Sequence, residues 1–227
     1  MARPIEPTPI LEGEDAQKVL ELMNSVTYSE EKQKFLDECR QVYRKTMKWC
    51  PLINFSQVKA VGLSKIYNLS KFDCGDEDLN DFIKNDAFVY QEKKLTTTIL
   101  FFYEDNLVGF LSIAADSLKL NLDEKESYNL HQKKLEDVPS IKFARFAVDK
   151  NYQKQGIGTN ILKWGIGYTL DCSDKVAIRF ITVDAYPHIV NFYQKFEFII
   201  NQNKHYTKKT NHISMRYDLL NKETTLS

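Results

Sequence analysis

An α/β fold of the α+β kind is what this 227-residue sequence predicts: a mixed, mostly antiparallel central sheet flanked by helices, with a helical N-terminal extension. Three observations carry that reading. Residues 96–103 and 107–114 are β-rich runs joined by the polar turn Glu104-Asp105-Asn106, the pattern of an antiparallel hairpin. An apolar run over 141–148, a glycine-bearing loop, a helical stretch over 159–170 and an apolar run over 176–183 form a βαβ unit. Its two strands are expected to lie parallel with a right-handed crossover. Ahead of both, the first 60 residues have a different, proline-led and helical texture.

Taken in order, Pro4, Pro7 and Pro9 enforce an extended entry, because each fixes φ and disfavours helix at the residue before it. A helix is predicted over 15–23, with Leu20 and Met23 on one side. For a second helix Ser29 is the N-cap, and Phe35, Leu36, Cys39, Val42, Tyr43 and Met47 recur at helical spacing. Such a stripe must be covered by the rest of the chain, by a second copy in a homodimer, or by another protein. Docking on its own chain is the simplest solution. The division is therefore an extension over 1–57 and a domain over 58–227. In the domain a short strand is expected over 61–66, then a helix over 76–90 whose apolar positions are Leu79, Phe82, Ile83, Ala87 and Val89. After the hairpin, 121–140 is a polar loop or short helix ending at Pro139. The βαβ unit comes next, then a helix over 188–195 and a β-rich stretch over 213–219.

With 43% hydrophobic and 27% charged residues the chain buries a full core. No run approaches eighteen apolar residues, and the opening lacks the apolar centre of a secretory signal, so no membrane partner is expected and the cytoplasm is the predicted compartment. Cys39, Cys50, Cys74 and Cys172 are scattered, with no C-x-x-C pair and no histidine at ligand spacing. They read as reduced structural thiols, and no metal is expected. The formal charge is zero but uneven. Residues 61–140 hold 9 Lys+Arg against 15 Asp+Glu, and residues 141–227 hold 13 against 7. The basic part suits a polyanionic ligand.

That basic part contains Gln153, Lys154, Gln155, Gly156, Ile157, Gly158 and Thr159, set between strand and helix. Two glycines two apart let the backbone turn sharply and approach a ligand, while the amides opening the next helix point at an anion. The dinucleotide fingerprint needs three glycines and a later acid, and the P-loop needs Gly-Lys-Ser/Thr; neither is present. The loop reads as a diphosphate cradle.

The Gln-x-x-Gly-x-Gly order at a strand-to-helix junction resembles the signature of the GNAT superfamily of acyl-CoA-dependent N-acyltransferases. Arg145-Phe146-Ala147-Val148-Asp149 resembles its fourth strand, and Phe192-Tyr193-Gln194-Lys195-Phe196-Glu197-Phe198 its segment after the fifth. The resemblance spans roughly 58–219. It implies acetyl-CoA as co-substrate and a primary amine as acceptor, with direct attack by the neutral amine. The amides from Gln155 to Thr159 would hold the pyrophosphate, and the pantetheine arm would pair along Phe146, Ala147 and Val148, one of whose amides polarises the thioester carbonyl. Tyr193 falls where the family places the acid that returns a proton to the thiolate, a role open to a phenol at neutral pH. Glu92, Asp116, Asp184 and His188 are base candidates that read as surface or turn residues.

Two positions depart from the family pattern. Glu197 stands where a glycine commonly ends the helix, and Tyr186 where an asparagine commonly contacts the cofactor. A catalytically weak CoA-binding or interaction module of a toxin–antitoxin type is the alternative they support. Phe72-Asp73-Cys74-Gly75-Asp76 followed by Leu79, Phe82 and Ala87 resembles the branch that includes toxins acetylating aminoacyl-tRNA. The opening Arg3 to Ala16 is similar to small antitoxin-like proteins. That likeness implies an antitoxin-like partner or a self-docking N-terminal arm.

Overall fold

The computed structural model describes residues 30–47, 58–130, 137–203, 205–206 and 211–220. The proline-led start, the helix expected over 15–23 and the Ser29 cap lie outside the described residues. Among those described, seven strands form one sheet in the order β1-β2-β3-β4-β5-β7-β6. They are β1 (Val58–Gly62), β2 (Thr97–Tyr103), β3 (Asn106–Lys119), β4 (Asp137–Val148), β5 (Phe180–Ala185), β6 (Ile199–Ile200) and β7 (Ile213–Asp218). Every neighbouring pair is antiparallel except β4 and β5. The mixed sheet and the βαβ unit are as the sequence reading has them.

The hairpin turns where expected: Tyr103 pairs with Asn106, and Glu104 takes φ +53. Other boundaries moved for physical reasons. β1 ends at Gly62, four residues before the predicted end. β4 starts at Asp137 and runs through Pro139, whose carbonyl accepts from Arg179 N at 2.9 Å. A proline is tolerated there because the pairing of β4 with β5 begins only at Ser140, so its missing N–H leaves no rung unmade. β5 starts at Phe180 rather than 176, because the preceding helix runs to Ser173 and its last turn uses the amides of Lys175 and Val176.

On one face lie α1 (Glu30–Met47) and α5 (Ile157–Ser173). The predicted stripe of α1 is the buried one: Leu36, Cys39 and Tyr43 join Trp164, Ile166 and Leu170 in the larger core, with Phe35 and Val42 packed at its edge. Burial of three such side chains is worth roughly 1.5–3 kcal/mol each, before the entropy of ordering the helix is subtracted. The two helices approach at backbone level, since a Cβ at Gly167 would collide with the Cys39 carbonyl.

The other face carries α2 (Glu77–Asp81), a π turn (Phe82–Asp86) and α3 (Ala87–Glu92) in one rod, capped by Asp76 accepting from Leu79 N. Phe82, Ile83 and Ala87 are buried as predicted, but Val89 is 41% exposed. The π turn adds a residue and rotates α3 about the rod axis, so Phe88 takes the inward place. The loop or short helix after β3 resolves as α4 (Leu122–Ser127), with a capping box between Asn121 and Glu124.

Candidate active site

The site begins where two parallel strands part. Pairing of β4 with β5 runs from Ser140↔Phe180 to Phe143↔Val183 and stops. On its other side β4 continues against β3, but Ser112 pairs with Arg145 and Ile113 with Phe143, which leaves Ala144 as an unpaired bulge. A bulge bends its strand and sharpens the twist. From Ala144 onward β4 therefore has no β5 partner, and Arg145 to Val148 present a bare edge to a cleft. Ala147 itself is buried toward the α2–α3 face, whereas Phe146 and Val148 pack on the α5 side.

The cleft is closed by the start of α5. Gly156 is its N-cap at φ +81, and Lys154 also lies in the left-handed region at φ +60. The polar side chains of the loop turn back to the protein: Gln153 donates to the carbonyls of Cys74 (2.9 Å) and Val148 (3.0 Å), Gln155 to Asn151 (2.8 Å) and Asn160 to Gly156 (3.1 Å). The first backbone amides of a 17-residue helix are left facing the cleft with the positive end of its dipole. A Cβ built on Gly158 would sit 3.6 Å from Val148, 3.7 Å from Phe146 and 3.9 Å from Phe192, ordinary contact distances. Packing alone does not demand this glycine, so its bareness leaves room for a ligand. A diphosphate with an extended arm fits the donor set: backbone amides at one end, a strand edge along the rest.

The Phe72-to-Ala87 segment turns out to buttress this cradle. Asp73 N donates to Asp149 Oδ2 (3.0 Å), Lys150 N to the Asp73 carbonyl (2.8 Å) and Lys150 Nζ to Asp73 Oδ2 (2.6 Å). Hydrogen bonds from Lys150, the Gly75 amide and Asn80 hold the Asp73 carboxyl far below the usual carboxylate range.

Tyr193 lies on α6 (Val190–Gln194), 4% exposed, with ring contacts to Phe192 and Phe198 at 5.3 Å. Burial pushes its phenol well above the usual value, so it is protonated at neutral pH. The helix end explains the spacing of the motif. Phe198 N donates to the Tyr193 carbonyl (3.2 Å) and Glu197 N to the Gln194 carbonyl (3.0 Å), the two bonds of a Schellman motif, and Tyr193 and Phe198 make its hydrophobic contact. Glu197 fills the left-handed position at φ +64. A side chain is disfavoured at that dihedral, yet the turn keeps its standard bonding.

Over the paired part of β4 and β5 the sheet is open on its other face. Phe143 and Val183 belong to the α5-side core, so the adjacent Lys142 and Thr182 point the opposite way. There a recess of about 580 Å³ is lined by Asp116, Lys142, Thr182, Asp184, Tyr206 and His212, among others. Thr182 donates to Asp116, and Lys142 pairs with Asp184. Tyr186, just past β5, lies 4.5 Å from the His212 ring and 5.7 Å from that of His188. Burial, then the charges of Asp76 and Asp78, push its phenol upward. Of the base candidates, Asp116 and Asp184 line the recess, His188 lies beside Tyr186, and Glu92 sits in a surface pair with Lys65 at 3.7 Å. The recess was not legible in the sequence, because its walls come from β3, β4, β5 and the segment before β7. Among the described residues no group of three or more His, Cys, Asp or Glu is placed to hold a metal ion.

A splayed parallel pair, with a glycine-opened helix start on one face and a polar recess on the other, is an arrangement suited to acyl transfer. The chain belongs to the acetyltransferase (GNAT) domain family, which it matches over residues 56–219. It is 25% identical over 141 residues to a tRNA-acetylating toxin of Mycobacterium tuberculosis, covering 61% of this chain and 82% of that one. In fold it is similar to a tyrosine-to-phenylalanine mutant of KacT (TM-score 0.62, 20% identity, 72% of this chain and 95% of that chain). It is likewise similar to AtaT complexed with acetyl-methionyl-tRNAfMet (TM-score 0.62, 20% identity, 71% and 94%). A third solved structure is a mutant AtaT bound to the C-terminus of the antitoxin AtaR and acetyl-CoA (TM-score 0.57, 18% identity, 72% and 94%).

Proposed function

We propose that this protein is an acetyl-CoA-dependent N-acetyltransferase whose acceptor is the amino group of an aminoacyl-tRNA, acting in the cytoplasm as the toxin of a toxin–antitoxin pair. The observation that carries the reading is the polar recess on the sheet face opposite α5, with lysine and aromatic side chains in its wall. Cations and ring faces are the groups that hold phosphates and unstacked bases. The tRNA-acetylating relative and the tRNA-bound fold neighbour support the same acceptor.

In this reading the amides of residues 155–159 bind the pyrophosphate. The edge at Phe146, Ala147 and Val148 orients the arm, with Gln153 and Lys154 shaping the loop. Acetyl-CoA supplies the acyl group as a thioester. The acceptor nitrogen attacks as the free amine, the C–N bond forms as the C–S bond breaks, and Tyr193 gives its proton to the departing thiolate. The proton lost by the nitrogen leaves to water, and the Tyr193 phenolate takes one back from water to close the cycle. Incubation with labelled acetyl-CoA and bulk charged tRNA, beside polyamines, amino acids and peptides, tests the acceptor: label in the charged tRNA supports it, and label in another amine alone overturns it. Tyr193→Phe should lower turnover about 100-fold or more with little change in CoA binding. Unchanged turnover would remove the residue from the reaction.

A further inference from the structure

The ammonium of Lys32 is buried on α1, in the helix that lies outside the family match. Its Nζ sits 3.8 Å above the Tyr217 ring and 2.7 Å from Glu197 Oε2, with the Lys32 side chain 4% exposed. A buried cation needs anions near it: the largely exposed carboxylate of Glu197 pairs with it directly, and, against the burial that raises the pKa of the Asp218 carboxyl, its charge also acts to lower that pKa. Glu197 holds the one position of the Schellman turn at which a side chain is disfavoured. That turn is built on the carbonyls of Tyr193 and Gln194. Phe35 of α1 reaches the same turn, 6.4 Å from Phe196, and Phe196 leads at 5.4 Å to Phe192, which faces Phe146 at 6.3 Å across the cleft.

We infer that Lys32 is a positioning residue: by clamping Glu197 it fixes the turn that sets Tyr193 and Phe192 in the cleft, so that α1 completes the acyl-transfer site instead of merely covering the core. The clamp rests on the reading of Tyr193 as the acid. It touches no ligand and acts only through the end of α6. The cradle at α5, built from a separate part of the chain, does not depend on it.

The test is steady-state thiol release by the full chain with acetyl-CoA and charged tRNA, together with thermal melting of each variant. Lys32→Met, which keeps an unbranched apolar stem over the Tyr217 ring, should lower kcat about 10-fold while leaving KM for acetyl-CoA within about 2-fold. Lys32→Arg, which keeps the cation, should hold most of the rate. The double variant Lys32→Met/Glu197→Gly, which relaxes the turn without a clamp, should recover at least half of the lost rate. A folded Lys32→Met protein with unchanged kcat overturns the proposal, as does a loss that Lys32→Arg and the double variant share. If Lys32→Met does not fold, Glu197→Gln takes its place, with the same kcat loss expected and an unchanged kcat again overturning the clamp. Tyr193→Phe run in parallel separates the two failures. A lowered rate there with intact Lys32→Met turnover removes the clamp alone, whereas an intact rate in Tyr193→Phe removes the acid itself.

Discussion

Gly156 and Glu197 both take a left-handed backbone, and the two positions are solved in opposite ways. Gly156, at the start of α5, takes φ +81 with only Asn160 within 4.0 Å of where a Cβ would stand; Glu197, past the end of α6, takes φ +64 and carries a charged side chain. At the first position backbone amides open onto the cleft, and the residue with no side chain suits both the dihedral and a close approach. At the second the backbone faces α1, so the cost of a left-handed glutamate is offset by its pair with Lys32. One end of the site is local in origin and the other is made by contact between residues 32 and 197.

The largest expected effect breaks the second kind of end. Gly167→Val places side-chain atoms where the Cys39 carbonyl already stands, so α1 lifts off and Leu36, Cys39 and Tyr43 lose their cover. A loss of about 3 kcal/mol is expected in denaturant unfolding. It should be visible in the fluorescence of Trp164, whose ring lies 5.3 Å from that of Tyr43. A melting curve like that of the parent chain would show that α1 is an accessory.

The first kind of end breaks without unfolding. Gly158→Leu fills the space bounded by Phe146, Val148 and Phe192 and should weaken CoA binding about 100-fold, roughly 2.7 kcal/mol, with little change in melting. Gly158→Ala should stabilise the helix by up to about 1 kcal/mol and keep binding measurable by calorimetry. If the alanine and leucine variants bind alike, the cleft does not run past this residue.

The smallest effect sharpens the comparison. Asp73→Asn removes the carboxylate that ties the α2 entry to Lys150, and should raise KM for acetyl-CoA only about 2-fold, since the pair is half exposed. The sign with pH is fixed by its depressed folded pKa: the contribution of Asp73 is full above the ordinary carboxylate value near 4 and is lost as pH falls through the lower folded value. The stability gap between parent and variant should therefore be constant at neutral pH and narrow steadily below about pH 4. A gap that widens on acidification would contradict the assignment.

Much of the cradle was legible because its determinants are contiguous. A strand, two glycines and a helix within residues 141–170 fix their own geometry, and the Phe72-to-Ala87 signature was visible even though its partner, the Asp149–Lys150 turn, was not. Local rules misled where a distant contact overrides them. Pro139 continues a strand because β5 has not yet begun to pair there, and Val89 turns outward because a π turn intervenes. Tyr186, noticed only as a departure, is part of an aromatic cluster with His188 and His212.

By itself, then, the sequence determined the βαβ unit, the glycine turn that opens α5 and the amphipathic stripe of α1, because dihedral preference and periodicity act between near neighbours. Only the tertiary structure decided where β4 and β5 part, what lines the recess on the far face, and why a glutamate is tolerated at residue 197. Those depend on a bulge opposite β3, on side chains from several strands meeting, and on a buried lysine more than 160 residues away whose charge must be matched.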